Sequence, residues 1–362
     1  MMRAAGKETV MQTGISLYFS EGIEQNERTI ERAHAAGVTF AFTSLHIPEE
    51  TGVAYADAVR HLLACCQDAG IDLMVDVSPV TLDKLGCSRI EDLLELGITT
   101  VRLDFGFSAR ETVELSHSFR IVFNASTITT DDIRAWQAAG ADFTRFAACH
   151  NFYPKRYTAL SIDEVRRINQ RLANLGFTTM GFVSGDDKLR GPLFEGLPTV
   201  EKHRDQKERV ALNMLELSVA GETDVVLVGD PGLSDGAWNA LSRLSAGYLP
   251  LRAEIQEPYA YLYGQIHHDR PDSSEYVFRS PESRTTLAPS APFEPDARAE
   301  PRPCGSIAIS NAAYDRYAGE MEISRVDLPA DPRMNIAGAV IDADRAFLPY
   351  LVRGMGIKLM RP

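Results

Sequence analysis

The amino-acid sequence predicts a closed (β/α)8 barrel followed by a small β-rich domain. Eight short apolar runs recur between residues 14 and 230, and amphipathic stretches of helical period separate most of them. Nearly continuous apolar strands, each followed by a crossover, are typical of a parallel sheet. The first run ends in Ser20-Glu21-Gly22 without a glycine-rich phosphate loop, so a barrel is favoured over an open doubly wound sheet.

The eight predicted strands follow one another along the first two thirds of the chain. They are GISLYFS (14–20), FAFTSLH (40–46), DLMVDVS (72–78), TVRLDFG (100–106), RIVFNAS (120–126), FTRFAAC (143–149), TTMGFVS (178–184) and DVVLVGD (224–230). Helices are predicted at 26–36, 55–69 and 164–175. Glycines such as Gly37 and Gly176 come just before the next strand, where a helix C-cap requires a positive φ. The connection between the fourth and fifth strands is short and only weakly helical.

The sequence pattern changes after residue 248. LRAEIQ, EYVFRS, GSIAIS, EMEISRV and NIAGAVI are typical of strands in a small antiparallel domain. The Pro-, Ser- and Arg-rich stretch 280–303 is predicted to be a long loop inside that domain. We therefore divide the chain into an N-terminal extension at 1–13, a barrel domain at 14–248 and a β domain at 249–362.

Composition narrows the class of protein. Of 362 residues, 44% are hydrophobic and 24% charged, which is ordinary for globular domains and excludes fibrous or disordered chains. The net charge of -13 disfavours nucleic acid and anionic membranes as general partners. No apolar run reaches the roughly 18 residues that span a membrane, and the first residues lack the apolar core of a secretory signal. Five cysteines without a C-x-x-C pair predict reduced thiols in a cytoplasmic protein.

Catalytic candidates come from the strand ends, because active sites of (β/α)8 barrels lie at the C-terminal ends of the strands. Asp76 and Asp104 each interrupt an apolar strand near its end, where a lone carboxylate is desolvated unless it is paired. Arg102 lies on the same strand face as Asp104, so a structural ion pair is the alternative. A mouth rich in carboxylates suits glycoside hydrolysis, which needs an acid and a second negative charge.

Further candidates would bind the substrate. Those for hydroxyl or amide contacts are Ser20, His46, Asn124, His150, Asn151, Tyr153 and Asp186. Loops after the seventh and eighth strands often hold phosphate in barrels, and Arg190 with Gly191 would offer a guanidinium fork beside an approachable N–H. Arg279 is the basic candidate of the second domain. A solvated surface position is the alternative for Arg279 and for the charged segment 188–204 that contains Arg190, here called the Arg190 loop. No H-x-H or H-E-x-x-H spacing occurs, so we predict neither a metal nor a cofactor.

Seven segments resemble the bacterial 6-phospho-N-acetylmuramidase family, formerly catalogued as a domain of unknown function or as "outer surface protein". They are GISLYFSEGIEQN, FAFTSLHIPEE, VRLDFGF, FNAST, ACHNFYPKRYTAL, LRGPLFEGLPTVEKHR and GSIAISNAAYDRYAGEMEI, and the resemblance runs from about residue 14 to the end. It implies a barrel with a C-terminal cyclophilin-like β domain. The implied activity is cytoplasmic hydrolysis, in cell-wall recycling, of N-acetylmuramic acid 6-phosphate linked β-1,4 to N-acetylglucosamine.

The implied substrate carries a lactyl carboxylate and a phosphate, so Arg190 and Arg279 are where its anions would bind. Asp104 would be the nucleophile or the carboxylate that orients the acetamide, and Glu49 or Asp76 the acid. Both the two-carboxylate and the substrate-assisted routes stay open. The alternatives are a barrel lyase or isomerase acting on another sugar phosphate, and a non-catalytic sugar-phosphate-binding protein whose mouth carboxylates are all in structural pairs. The oligomeric state is left open, with a homodimer among the options.

Overall fold

The computed structural model describes residues 11–44, 55–77, 82, 85, 87–103, 106–287, 289 and 291–362. The described chain forms two compact units, Met11–Ser245 and Ala246–Pro362. No helix among these residues is long and apolar enough to cross a membrane.

Eight parallel strands of the first unit close into a barrel, which confirms the predicted fold. The strands are β1 (Gln12–Ser16), β2 (Phe40–Ser44), β3 (Asp72–Val77), β4 (Thr100–Leu103), β5 (Arg120–Asn124), β6 (Phe146–Cys149), β7 (Thr178–Val183) and β8 (Val225–Val228). Each strand pairs with the next one along the chain, and β1 pairs with β8 to complete the ring. Because helices cover the outer face of such a sheet and side chains fill its interior, every strand can be almost wholly apolar.

Helices connect most of the strands. They are α1 (Ile23–Ala35), α2 (Tyr55–Asp68), α3 (Ala109–Leu115), α4 (Thr130–Ala138), α5 (Ile162–Ala173), α6 (Glu201–Arg204), α7 (Val210–Val219) and α8 (Asp235–Ser245). The predicted helices at 26–36, 55–69 and 164–175 correspond to α1, α2 and α5. Gly37 and Gly176 follow α1 and α5 with φ of 72° and 109°, as their position before a strand predicted. The connection predicted to be weakly helical contains α3, which a Ser108–Glu111 capping box stabilises.

The barrel interior is filled by inward-pointing side chains. They are Phe40, Phe42, Met74, Val122, Ala147, Cys149, Met180, Phe182, Val225 and Leu227. Because side chains alternate along a strand, the residue two positions later points the same way and lies nearer the C-terminal end of the barrel. This rule places Asp76, Asn124 and Asn151 directly above the core. His150 follows the inward-pointing Cys149 by one residue, so the same rule makes its side chain point to the outer side of the barrel.

The second unit is built on one seven-stranded sheet. The strands are β9 (Tyr248–Ile255), β10 (Ile266–His268), β11 (Val277–Ser280), β12 (Ser306–Ser310), β13 (Met321–Ser324), β14 (Met334–Val340) and β15 (Gly356–Met360), with a one-turn helix α9 (Glu282–Thr285) after β11. Across the sheet they lie in the order β10-β15-β9-β14-β12-β13-β11. All pairs are antiparallel except β9 with β15, which are parallel. The prediction of an antiparallel domain is therefore wrong, because hydrophobic patterns carry no information on strand direction. The label cyclophilin-like stays a prediction.

Candidate active site

A first group of polar side chains, here called the Asp76 cluster, comprises Asp76, Arg102 and Asn151. Asp76 on β3 and Arg102 on β4 are direct neighbours in the barrel sheet. Arg102 Nη1 lies 3.3 Å from Asp76 Oδ1, and its Nη2 donates to Asn151 Oδ1. The two charged side chains are only 13% and 16% exposed. The structure thus pairs Arg102 with Asp76, which follows from the strand register; Asp104, Glu49 and His46 lie outside the described residues.

Below the Asp76 cluster the barrel is closed by apolar and aromatic side chains. Cys149 is fully buried, and burial raises the pKa of its thiol to about 12 even though Arg102 acts in the opposite direction. Phe152 covers the core from above, with its ring centroid 6.1 Å from that of Phe42 and 5.2 Å from that of Phe182. Cys149 therefore stays a protonated packing group, and the polar chemistry begins at Asp76 and Arg102.

A second group, here called the Arg190 cluster, comprises Tyr18, Arg190 and Asp230 at the ends of β1, β7 and β8. The Arg190 guanidinium carbon lies 3.8 Å from the centroid of the Tyr18 ring, a cation–π contact. Tyr18 is almost fully buried and donates its hydroxyl to the Gly229 carbonyl at 2.5 Å. Burial raises the pKa of Tyr18 to about 12, so its hydroxyl keeps its proton. The ring is a fixed platform for the guanidinium.

Asp230 holds the loop that follows β7 in place. Its buried carboxylate accepts hydrogen bonds from the backbone N–H groups of Gly185, Arg190 and Leu197, each at 3.0 Å. Burial raises the pKa of Asp230, and these three bonds act against that effect. The carboxylate is thus used for backbone anchoring. Among the described residues the contacts of the Arg190 guanidinium are with the Tyr18 ring, and none is an ion pair with a carboxylate.

The comparisons with known proteins agree with this architecture. Residues 13–243 match the N-terminal model, and residues 249–360 the C-terminal model, of 6-phospho-N-acetylmuramidase. The chain belongs to the 6-phospho-N-acetylmuramidase family. A comparison with the curated proteins found no match.

Two solved structures are similar to this member of the 6-phospho-N-acetylmuramidase family over nearly their whole length. One is a conserved protein of unknown function from Enterococcus faecalis, with 32% identity, 97% of this chain and 96% of that chain covered, and a TM-score of 0.71. The other is an uncharacterized protein from B. cereus, with 24% identity, coverage of 97% and 99%, and a TM-score of 0.71. The second likeness shows the fold alone.

Other residues that the sequence predicted at the mouth of this 6-phospho-N-acetylmuramidase family barrel have local contacts. Ser20 is exposed in a 3-10 turn, Phe19–Glu21. Asn124 accepts a hydrogen bond from the Ser126 N–H at 3.1 Å, which fixes the turn after β5. Tyr153 is half-buried beside Asn151, and Gly191 is exposed in the Arg190 loop. Of the predicted residues, Asp76 and Asn151 are brought into one hydrogen-bonded group, through Arg102.

Three predicted binding residues have other roles in the structure. His150 has no exposed surface, because it points outward from β6; its Nε2 lies 2.9 Å from Asn169 Oδ1 on α5, and burial lowers its pKa. Asp186 accepts from the N–H and hydroxyl of Ser234, the residue before α8. Arg279 on β11 donates to the Asp272 carbonyl at 2.8 Å and lies 3.5 Å from its carboxylate. The full burial of His150 contradicts its assignment as a substrate contact, whereas Asp186 and Arg279 keep some exposed surface and stay predicted substrate contacts.

Sequence reasoning missed two residues that build the mouth. Tyr18 could have been found by strand parity, since it lies two and four residues after Ser16 and Gly14 on one face of β1. Arg204 gives no signal, because it is one of several charged residues in the Arg190 loop and no local pattern marks a buried one. It is 2% exposed, and it donates to the carbonyls of Tyr153 at 2.7 Å and Gly196 at 2.9 Å. One buried cation therefore ties the loop after β6 to the loop after β7.

Proposed function

We propose that the protein is a cytoplasmic glycoside hydrolase that cleaves N-acetylmuramic acid 6-phosphate linked β-1,4 to N-acetylglucosamine. Membership of the 6-phospho-N-acetylmuramidase family supports the reaction class. The observation that carries the proposal in this chain is the Arg190 cluster, where a guanidinium at the barrel mouth is oriented by a tyrosine ring and by its own anchored backbone.

Arg190 has the properties that a phosphate site needs. The chain has a net charge of -13, so an anionic substrate must find its positive charge locally. A guanidinium offers several donors in a planar fork that matches phosphate oxygens. Because the Tyr18 ring and the Asp230 anchor hold Arg190 before binding, little conformational entropy is lost when the anion arrives. We therefore propose Arg190 and the exposed Gly191 as the 6-phosphate site.

The Asp76 cluster suits sugar orientation better than proton donation. A guanidinium contact favours the ionised carboxylate, and an ionised carboxylate accepts hydrogen bonds without donating them. We therefore assign Asp76, with Asn151, to hold a hydroxyl or the acetamide N–H of the substrate. Asp104 remains the proposed nucleophile or acetamide-orienting carboxylate, and Glu49 becomes the proposed general acid.

The test is hydrolysis of the phosphorylated disaccharide by the purified full-length chain. We expect release of N-acetylglucosamine from the 6-phosphorylated substrate and much slower release from its unphosphorylated form. Asp104→Asn is nearly isosteric, so we expect it to keep the thermal unfolding midpoint and to abolish turnover. Wild-type turnover by the folded Asp104→Asn variant would remove Asp104 from the mechanism.

A non-catalytic sugar-phosphate-binding protein is the second candidate. It is favoured by the contacts of three mouth carboxylates: Asp76 with Arg102, Asp186 with Ser234, and Asp230 with backbone N–H groups. Calorimetry followed by analysis of the recovered sugars distinguishes the two candidates. A binding protein retains the intact disaccharide, whereas a hydrolase releases two sugars. Binding of sugar phosphates without cleavage of any glycosidic bond, but with a change in the bound sugar, would instead favour a lyase or isomerase.

The cytoplasmic location is part of the proposal. It is supported by five free cysteines, of which Cys66, Cys87 and Cys149 are buried. Fractionation of the producing cells followed by immunodetection tests it, and recovery of the protein outside the cytoplasm would contradict it.

A further inference from the structure

Three side chains of metal-binding type meet between two helices of the barrel unit, and none of them belongs to the two mouth clusters. Glu27 projects from α1, and His61 and Cys65 project from α2. Their ligand atoms all lie within 4.8 Å of one another. His61 and Cys65 are four residues apart, so they share one face of the helix, and Glu27 approaches from the neighbouring helix.

The distance between the nitrogen donor and the sulfur donor matches the distance between two ligands of a tetrahedral zinc ion. Zn–N and Zn–S bonds of about 2.0–2.1 Å and 2.3 Å place the two donors about 3.5 Å apart. His61 Nε2 lies 3.6 Å from Cys65 Sγ. Glu27 Oε1 lies 2.6 Å from His61 Nε2, so it must withdraw by about 0.8 Å to share an ion. Its side chain is 38% exposed, which gives it room to change rotamer.

The charges around the three donors attract a cation. Partial burial raises the pKa of the Cys65 thiol, and the nearby carboxylates of Glu27, Asp68 and Glu31 raise it further. A thiol in such surroundings keeps its proton until a metal displaces it. The negative potential that disfavours the bare thiolate favours a divalent ion bound to it.

We propose that Glu27, His61 and Cys65 form a zinc site with water as the fourth ligand. One oxygen, one imidazole nitrogen and one sulfur are a donor set for zinc or cobalt, whereas magnesium and calcium prefer oxygen alone. The ion would link α1 to α2, which are otherwise joined here by a hydrogen bond between His61 and Glu27. Because the ion binds the folded arrangement, it would stabilise the barrel unit by mass action.

Cobalt titration of the reduced, chelator-treated full-length chain tests the proposal directly. We expect one equivalent of Co2+ to produce thiolate-to-cobalt charge-transfer absorption in the near ultraviolet and the d–d bands of a tetrahedral site, and Zn2+ to displace both. The thermal unfolding midpoint should rise with Zn2+ concentration. Affinity should fall as the pH falls, because the metal competes with the thiol proton of Cys65.

Two variants and a matched control locate the ion. Cys65→Ser should remove the charge-transfer band, and His61→Gln should weaken zinc binding by more than the roughly 10–100-fold that loss of a group supporting a ligand costs. Cys304→Ser changes another partly exposed thiol, in the second unit, and should bind like the wild type. A wild-type titration without the charge-transfer band, or undiminished affinity in Cys65→Ser, would overturn the site and leave Glu27–His61 as a simple hydrogen bond between helices.

Discussion

The Asp76 cluster and the Arg190 cluster each place an arginine at the mouth of one barrel, with opposite results. Arg102 contacts a carboxylate and an amide oxygen, so its charge is neutralised within the protein. Arg190 lies on the face of a tyrosine ring, which orients the guanidinium without neutralising it. The partner of an arginine, more than the arginine itself, therefore decides whether an anion can bind there.

The largest expected effect is on stability, at Arg102. Arg102→Ala removes the positive charge that Arg102 places beside the mostly buried Asp76 carboxylate, and breaking a buried ion pair costs about 3–5 kcal/mol. Since both side chains keep some exposure, we expect a loss of about 3 kcal/mol in the free energy of unfolding, measured by urea titration. The double variant Asp76→Asn/Arg102→Met should recover part of that loss. An unchanged unfolding midpoint in Arg102→Ala would mean that Arg102 contributes no more to stability than Arg190 does.

Arg190 should affect catalysis and leave stability nearly unchanged. Arg190→Ala removes hydrogen bonds to a charged group, each worth about 1.5–3 kcal/mol, so we expect kcat/KM for the phosphorylated disaccharide to fall by about 10–100-fold. Arg190→Lys keeps the charge without the planar fork and should recover part of the activity. Hydrolysis of the unphosphorylated disaccharide is the control and should not change. An equal loss on both substrates would show that Arg190 does not read the phosphate.

Glu201 offers a pH-dependent test of the loops that carry both clusters. Its hydrogen bond with Arg204 lowers its pKa from 4.5 to about 2. A folded-state pKa below the unfolded value stabilises the protein above about pH 4.5, and that stabilisation is lost as the pH falls toward 2. With the side chain 25% exposed, Glu201→Gln should cost about 1 kcal/mol at pH 6, a difference that shrinks on acidification.

The matched control for Glu201 is Glu195→Gln on the same loop. Glu195 lies 3.3 Å from Arg156 with 42% of its side chain exposed, so solvent screens the pair. We expect Glu195→Gln and the wild type to have the same free energy of unfolding at pH 6 and again at pH 3. If both variants lose stability equally, the buried Arg204 contact has no special role in holding the loops.

The smallest expected effect separates the ring of Tyr18 from its hydroxyl. Tyr18→Phe removes the hydrogen bond to the Gly229 carbonyl and should lower the free energy of unfolding by about 1 kcal/mol. It keeps the aromatic face under Arg190, so KM for the phosphorylated substrate should not change. Tyr18→Leu removes the ring and should raise that KM. A raised KM in Tyr18→Phe would mean that the hydroxyl, not the ring, positions Arg190.

The predictable part of the site is the part that strand parity controls. Apolar runs located eight strands, and counting by two from Met74 or Cys149 leads to Asp76 and Asn151. The same count excludes His150, which was proposed from its position after a strand without regard to the face it occupies. Contacts between loops were beyond this reasoning: Arg204 and Asp230 bind backbone groups of segments distant in sequence, and no local pattern marks such a partner.

The second sheet shows a similar limit. Five of its strands were predicted from apolar runs, but β10 contains only three residues, two of them histidines, and lacks a hydrophobic signal. The parallel pairing of β9 with β15 depends on the path of the chain between them. Sequence patterns report burial, whereas direction and neighbour order arise when distant segments meet.

That parallel pair has a consequence for the order of folding. Most barrel strands pair with the next strand to leave the ribosome, so much of the barrel can assemble while synthesis continues. β9 is made immediately after the barrel, yet both of its neighbours come late: β14 is roughly eighty residues and β15 roughly a hundred residues later in the chain. Until β14 is made both edges of β9 present unpaired backbone groups, the edge that pairs with β15 stays unpaired longest, and β10 has no partner before β15. Slow translation of the last third of the chain would prolong the exposure of this edge to chaperones and to other nascent chains.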